Sequence, residues 1–436
     1  MTLSIIIAIA TTLSMTGAVL IKPYITVGKA KLGLYWIICL IGAILMLVFN
    51  CVDFSFAISE ITANTAVNPL KILTLFICMT LLSIFLGDAG FFDYVADKIF
   101  VKSKGGQLKL FVILYVVVSV LTVFTSNDII ILTFTPPICI FAKKAKISPL
   151  PYLFCEFIAA NTWSMMLIVG NPTNVYLAQS AGISFMQYVE VMFAPAVCGG
   201  LMGFLMLILI FRKQLSTPID RTTSNVEKSY IPSLVKVPMI VTASHLLVCI
   251  IMLALSDLIG VEMWLVCLVL TISLSLFTTI YNLIIVGSIR PLLNSIKKAP
   301  FELVPFVLSM FIIVLALKQN GVTGMLSSLI VSGQKADGII FGFLSSISAN
   351  LLNNIPMSVL FEKIISSTSI YAVYGTIIGS NIGAFITPVG ALAGIMWSKI
   401  LSKHQIKMPF YKFLLYGSVV AIPTLFASSL CLFLVL

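Results

Sequence analysis

Apolar runs of about 20 residues, separated by short polar connections, recur along the whole chain, which is the spacing of bilayer-spanning helices rather than of soluble elements. Runs at 36–49, 192–211 and 413–436, with their flanks, are of this kind. Residues 1–21 are apolar, lack a basic leading region and a small-residue cleavage site, and read as a retained first span. The run 107–142 is too long for one span, and it and the run 338–365 each have a polar centre. In the first it is Thr125-Ser126-Asn127-Asp128; in the second it is Asn350 with Asn353-Asn354-Ile355-Pro356. Two others, 149–177 and 371–397, are interrupted by Gly170-Asn171-Pro172-Thr173-Asn174 and by Thr387-Pro388-Val389-Gly390. Pro and Gly break a helix, and irregular backbone at membrane depth is tolerated only inside protein or beside a cavity.

Composition agrees. The chain is 60% hydrophobic and 9% charged, against roughly 25% charged in soluble domains, so a water-facing surface could not be covered. The formal charge of +11 does not indicate nucleic acid, because Lys and Arg fall in short runs between apolar spans. Those runs are Lys22/Lys29/Lys31, Lys98/Lys102/Lys104/Lys109, Lys143/Lys144/Lys146, 212–236, Arg290/Lys297/Lys298 and Lys399/Lys403/Lys407/Lys412. Connections near 53–68, 179–190 and 257–262 carry none, apart from a weaker outer loop with Lys318 and Lys335. Positive-inside logic places the first set in the cytoplasm. The nine cysteines lie mostly in apolar segments without CxxC pairing and read as small core residues.

Following that orientation, 107–142 starts and ends in the cytoplasm, and 338–365 starts and ends outside. Both are expected to be re-entrant helical hairpins. The predicted fold is an all-α polytopic membrane protein of two inverted repeats, each with about five membrane-crossing helices and one re-entrant hairpin. The first repeat is 1–212 and the second 237–436, joined by a polar cytoplasmic linker at 213–236. Asn127 and Asn353 are 226 residues apart, close to half the chain. Inverted repeats with discontinuous helices are the signature of secondary transporters, whose sites lie near the midplane.

The candidate substrate- and ion-binding residues are Ser126, Asn127, Asp128, Gly170, Asn171, Thr173, Asn174, Asn353, Asn354, Asn381, Thr387 and Gly390. Half-helix N-termini suit anions, and unwound carbonyls with Asn or Ser oxygens suit sodium or a proton relay. Sodium is expected at Asn127, Asp128 and Asn353. Asp128 is the sharpest candidate, since an ionisable group at mid-depth costs on the order of 3 kcal/mol; capping of the second half-helix is its other reading. Glu156 reads as an interfacial carboxylate paired with a lysine, with a pathway-lining position as the alternative. Lys318 is expected to snorkel outward, Glu302 to be interfacial, and His245 to be a satisfied polar group within a span. No phosphate loop, metal-ligand spacing or nucleophile elbow is present in the sequence, so neither an enzyme nor an ATP-driven pump is indicated, and no cofactor is expected beyond a coupling sodium or proton.

At these motifs the chain resembles the ion transporter superfamily, which includes arsenite/antimonite efflux pumps, sodium/proton antiporters, citrate transporters and divalent anion/sodium symporters. The resemblance spans nearly the whole chain. It rests on Ser126-Asn127-Asp128 with Leu132-Thr133, on Phe157-Ile158-Ala159-Ala160-Asn161-Thr162 leading to Gly170-Asn171-Pro172-Thr173-Asn174, on Lys298-Ala299-Pro300-Phe301, on Leu352-Asn353-Asn354-Ile355-Pro356, and on Ile378-Gly379-Ser380-Asn381-Ile382-Gly383 through Ile386-Thr387-Pro388-Val389-Gly390. It implies one half-site at Ser126, Asn127, Gly170 and Asn174, and another at Asn353, Asn354, Thr387 and Gly390. It also implies a homodimer with an elevator-like transport domain. The arsenite branch usually has acidic residues where Asn161 and Asn381 stand, and a lysine where Phe385 stands. The symporter branch usually has Thr after its hairpin Asn, where this chain has Asp128 and Asn354. The expected function is secondary transport of a small anion across the cytoplasmic membrane, coupled to protons or sodium. The alternatives are arsenite/antimonite efflux or sodium/proton antiport; a passive channel is disfavoured by the internal inversion.

Overall fold

The computed structural model describes residues 1–21, 24–27, 30–65, 68–102, 106–218, 233–285, 287–365 and 369–436. Most of the expected linker, and Lys22, Lys29 and Lys104, lie outside them. The described chain is helical apart from one antiparallel pair, β1 (Tyr24–Val27) and β2 (Ala30–Gly33).

The helices are α1 (Thr2–Ile21), α2 (Leu34–Val48), α3 (Phe54–Thr62), α4 (Pro69–Asp88), α5 (Phe91–Lys102), α6 (Gln107–Phe124), α7 (Asn127–Lys144), α8 (Leu150–Trp163), α9 (Pro172–Ser180) and α10 (Phe185–Leu215). They continue as α11 (Ser233–Ala254), α12 (Ser256–Ile259), α13 (Met263–Ile285), α14 (Arg290–Lys297), α15 (Leu303–Gln319), α16 (Val322–Ile330), α17 (Ala336–Leu352), α18 (Asn354–Ile365), α19 (Ile370–Gly383), α20 (Leu392–Lys403) and α21 (Phe410–Val435). Among the described residues six helices are long and apolar enough to cross a membrane: α4, α6, α10, α11, α13 and α21. The pair α15 and α16, bent by 77°, passes the same test only when the two are taken together as one span.

The four interrupted runs are broken where their polar centres stand. α6 ends at Thr125, whose backbone is extended, and α7 restarts after Ser126. α17 ends at Asn353, whose φ of 73° is in the left-handed region that favours glycine. The run 149–177 divides into α8, a single 3₁₀ turn at Ile168–Gly170 and α9. The run 371–397 divides into α19 and α20. The apolar pattern did not foretell α5, α16 or the β pair, which are short elements placed by packing and turns.

Packing follows a reciprocal scheme. α6 and α7 pack on α8, as α17 and α18 pack on α19; α9 packs on α18, and α20 on α7. Farther out, α2 packs on α15, α13 on α4, and α10 on α21. The closest crossing is between α17 and α19. A Cβ at Gly375 would be 2.2 Å from the Gly338 carbonyl oxygen, and one at Gly379 would be 2.1 Å from that of Gly342. Small residues four apart let the two backbones meet, which is how helices associate where lipid offers no hydrophobic driving force. Large apolar side chains such as Leu201, Leu205, Ile251 and Leu276 remain exposed on α10, α11 and α13, as a lipid-facing surface requires.

Candidate functional site

The tip between α6 and α7, where the sequence predicts a hairpin turn, is bound to the first interrupted run. Asn127, the first residue of α7, donates from Nδ2 to Oδ1 of Asn161 at 3.0 Å, and Asn161 Nδ2 donates to the Phe157 carbonyl at 2.8 Å. Near the end of α8, Ser164 Oγ donates to the Asn161 carbonyl at 2.8 Å and lies 2.9 Å from Asn381 Oδ1.

Asn381, on α19, joins the two broken helices. Its Oδ1 also accepts from Asn171 Nδ2 at 3.0 Å, and its Nδ2 donates to Asn174 Oδ1 at 2.7 Å and to the Ile377 carbonyl at 2.8 Å. Asn174 Nδ2 closes the break by donating to the Ser164 carbonyl at 2.9 Å. Asn171 caps α9 through the Thr173 N–H, and Ser380 Oγ donates to Thr173 Oγ1 at 2.9 Å. Gly170 is required here, because a Cβ would be 2.2 Å from the Ser164 carbonyl oxygen.

The second tip is held by the second break. Asn353 Nδ2 donates to the Val389 carbonyl, and the Asn354 N–H donates to the Gly390 carbonyl, each at 3.0 Å. These bonds hold Asn353 in its costly backbone conformation. Asn350 Oδ1 accepts from the Thr387 N–H at 3.0 Å and from Thr387 Oγ1 at 2.6 Å, while its Nδ2 reaches the Gly383 carbonyl at 2.9 Å.

Eleven of the twelve candidates therefore fall into two hydrogen-bonded or closely packed groups that share α19, with Ser126 at the tip beside Asn127. Among the described residues no hydrogen bond joins the two tips. Asp128 joins neither group: among the described residues its carboxylate makes no hydrogen bond or ion pair, and it does not cap α7, whose N-cap Ser126 also makes no side-chain cap bond. Three buried tip oxygens have no hydrogen-bond partner: Ser126 Oγ, Asn127 Oδ1 and Asn354 Oδ1. Buried polar atoms are rarely left so, and oxygens of this kind are hard-cation ligands. A cavity of about 20 Å³ beside Pro172 and Thr173 is lined mainly by apolar side chains, among them Ile72, Phe76, Leu303 and Ile355.

Other charged groups refine the reading. Glu156 has no lysine partner among the described residues; it is wholly buried, and Thr135 Oγ1 donates to its Oε1 at 3.0 Å. The run of apolar residues around it, Pro151 to Ala160, was the signal for burial. Glu362 and Lys363 form a buried pair at 3.0 Å that sequence reasoning missed, although adjacent charges within an apolar run mark it. Asn161 was also outside the candidate set, yet it stands nine residues before Gly170, as Asn381 stands nine before Gly390. Lys318 lies 3.9 Å from Glu60 and is 44% exposed, Glu302 accepts from the Tyr35 hydroxyl at 3.0 Å, and both ring nitrogens of His245 have partners.

The chain is similar to known membrane transporters. The arsenical pump membrane protein of Escherichia coli (strain K12) is 25% identical over 368 residues, covering 81% of this chain and 83% of that protein. Two solved transporter structures share the fold. The YdaH transporter of Alcanivorax borkumensis matches with a TM-score of 0.54 at 12% identity, covering 99% of this chain and 97% of its own. MtrF of Neisseria gonorrhoeae, described in a class of antimetabolite efflux pumps, matches with 0.54 at 14% identity, covering 99% and 94%. The family model described as citrate transporter matches residues 31–372. The chain is a multi-pass membrane protein, a transporter by kinship, and belongs to the citrate transporter family.

Proposed function

We propose that the chain is a secondary active transporter that moves a small anion, a carboxylate or oxyanion, across the cell membrane, coupled to protons or sodium. Its two inverted repeats are 1–212 and 237–436, with the linker 213–236 between them. The reciprocal packing of α9 on α18 and of α20 on α7 supports that division, because each broken helix reaches into the other repeat. Alternating access then follows from movement of the hairpin-bearing units around the asparagine groups.

The observation that carries the proposal is the set of three buried, unpartnered oxygens at the two hairpin tips. They are the acceptors a coupling cation takes up, and Asp128 in the first turn of α7 supplies a negative charge nearby in sequence. The substrate anion is received by backbone N–H groups of the half-helices; α7 and α20 have no side-chain cap competing for theirs. The test is uptake of citrate, succinate and arsenite into proteoliposomes, each with and without imposed proton and sodium gradients. Gradient-dependent uptake of one solute is expected, and leakage of all of them without coupling contradicts the reading.

Arsenite or antimonite extrusion is a second reading, favoured by the kinship with the arsenical pump membrane protein. It predicts arsenite movement and resistance in a sensitive cell without carboxylate uptake.

A further inference from the structure

We propose that the Glu156 carboxyl, at the junction of α7, α8 and α20, is a proton-binding site that works in the transport cycle. This rests on the transporter reading above and names a coupling group within it.

Two glutamates stand in contrast. Each sits where the second half of a broken helix crosses the second helix of a hairpin. At the α9–α18 crossing, Glu362 is 4% exposed. Its carboxylate is 3.0 Å from the Lys363 ammonium and accepts from the Tyr176 hydroxyl at 3.3 Å. At the α7–α20 crossing, Glu156 is 0% exposed, and its bonded partner is the neutral Thr135 hydroxyl. Oε2 has no hydrogen-bond partner, and the Trp397 indole lies against the carboxyl without completing a bond.

A buried carboxylate beside an ammonium can remain charged. One with no counter-charge is strongly disfavoured as an anion and is stabilised by taking up a proton. The groups around Glu156 offer no alternative. The titratable neighbours are the Cys139 thiol from α7 and the Cys155 thiol beside it on α8. From α20 comes Trp397, packed on Phe154 and Phe157. Among the described residues no cation from α6, α7, α10, α19 or α20 pairs with Glu156.

Position links this proton to transport. Asn161, which receives the Asn127 amide, is five residues along α8 from Glu156, about 7.5 Å of helix. Thr135 is eight residues along α7 from Asn127, about 12 Å of helix. The Thr135–Glu156 bond and the Asn127–Asn161 bond thus fasten the same two helices, one below the tip and one at it. Gain or loss of a proton at Glu156 changes the lower fastening and biases the position of the tip.

Infrared difference spectra of the full-length protein in lipid bilayers, taken between acid and alkaline buffer, test proton binding without any solute. A protonated-carboxyl band that weakens as pH rises, is shifted in Thr135→Val and Glu156→Asp, and is missing in Glu156→Gln is the expected result. Identical spectra for wild type and Glu156→Gln overturn the site, whatever the transport assays give. In proteoliposomes tested with citrate, succinate and arsenite, Glu156→Gln is expected to lose stimulation by a proton gradient and to keep solute counterflow. Full proton-gradient stimulation in Glu156→Gln overturns the coupling role, even if the infrared band is found.

Discussion

Asn381 Nδ2 donates to Asn174 Oδ1 at 2.7 Å, joining side chains 207 residues apart, each wholly buried. Through this bond the first break is held by α19, the helix that leads into the second break, so the two polar groups are connected through one helix.

Replacing Asn381 by Leu leaves the Asn171 amide donor and the Asn174 carbonyl acceptor buried without their present partner. Each orphaned group costs roughly 1–3 kcal/mol. Asn381→Leu is therefore expected to lower stability by about 2–6 kcal/mol, read as a lowered Tm in detergent. A Tm equal to that of the wild type would show that the network does not hold the breaks together.

Gly379→Ala puts a Cβ 2.0 Å from Ser345 Oγ and 2.1 Å from the Gly342 carbonyl oxygen, and the second contact cannot yield without moving α17. This variant is expected to be poorly folded, with losses above about 3 kcal/mol. Gly324→Ala meets nothing within 4 Å on α16 and should be neutral, or stabilising by about 1 kcal/mol through helix propensity. Size-exclusion profiles of the two variants decide the matter.

Asp128→Asn removes an acidic group from the first turn of α7 that makes no hydrogen bond there. The loss of the favourable helix-dipole interaction should cost no more than about 1 kcal/mol. The fold is expected to survive while gradient-driven uptake falls. Normal coupling in the variant would remove Asp128 from the mechanism and leave the tip oxygens as the cation ligands.

Glu262, just before α13, has its carboxyl held below the usual carboxylate value by the Lys71 ammonium and by the Trp264 indole N–H. Because the folded value is below the unfolded one, about 4.3, the stabilisation is full above that pH. It is lost as pH falls through the folded value. The Glu262 side chain is 55% exposed, so the pair contributes under about 1 kcal/mol. Glu262→Gln should flatten the acid limb of the stability curve and change little at neutral pH.

Much of this architecture was legible in the sequence. Apolar run length marked the longer spans, and the polar centres at Asn127 and Asn353 fell where α6 gives way to α7 and α17 to α18. What the pattern could not supply was partnership. Asn127 is as conspicuous in the sequence as Asp128, yet the first is bonded to Asn161 and the second to nothing. Glu156, three residues past Leu153 in an apolar run, reads as lysine-paired from its distance to Lys146, but hydropathy says nothing of which lysines come near. The Glu362–Lys363 pair escaped notice because opposite charges cancel in a hydropathy reading. Helix α5 was hidden by its lysines and aspartates, which read as a loop.

The buried oxygens Ser126 Oγ, Asn127 Oδ1 and Asn354 Oδ1 are expected to bind what is transported or what drives it. Gradient-driven uptake in proteoliposomes by Asn127→Ala and Asn354→Ala, at matched amounts of folded protein, is the decisive measurement. Each substitution is expected to abolish the stimulation by the coupling gradient. Undiminished gradient-driven uptake in both variants would contradict it and place the site elsewhere in the molecule.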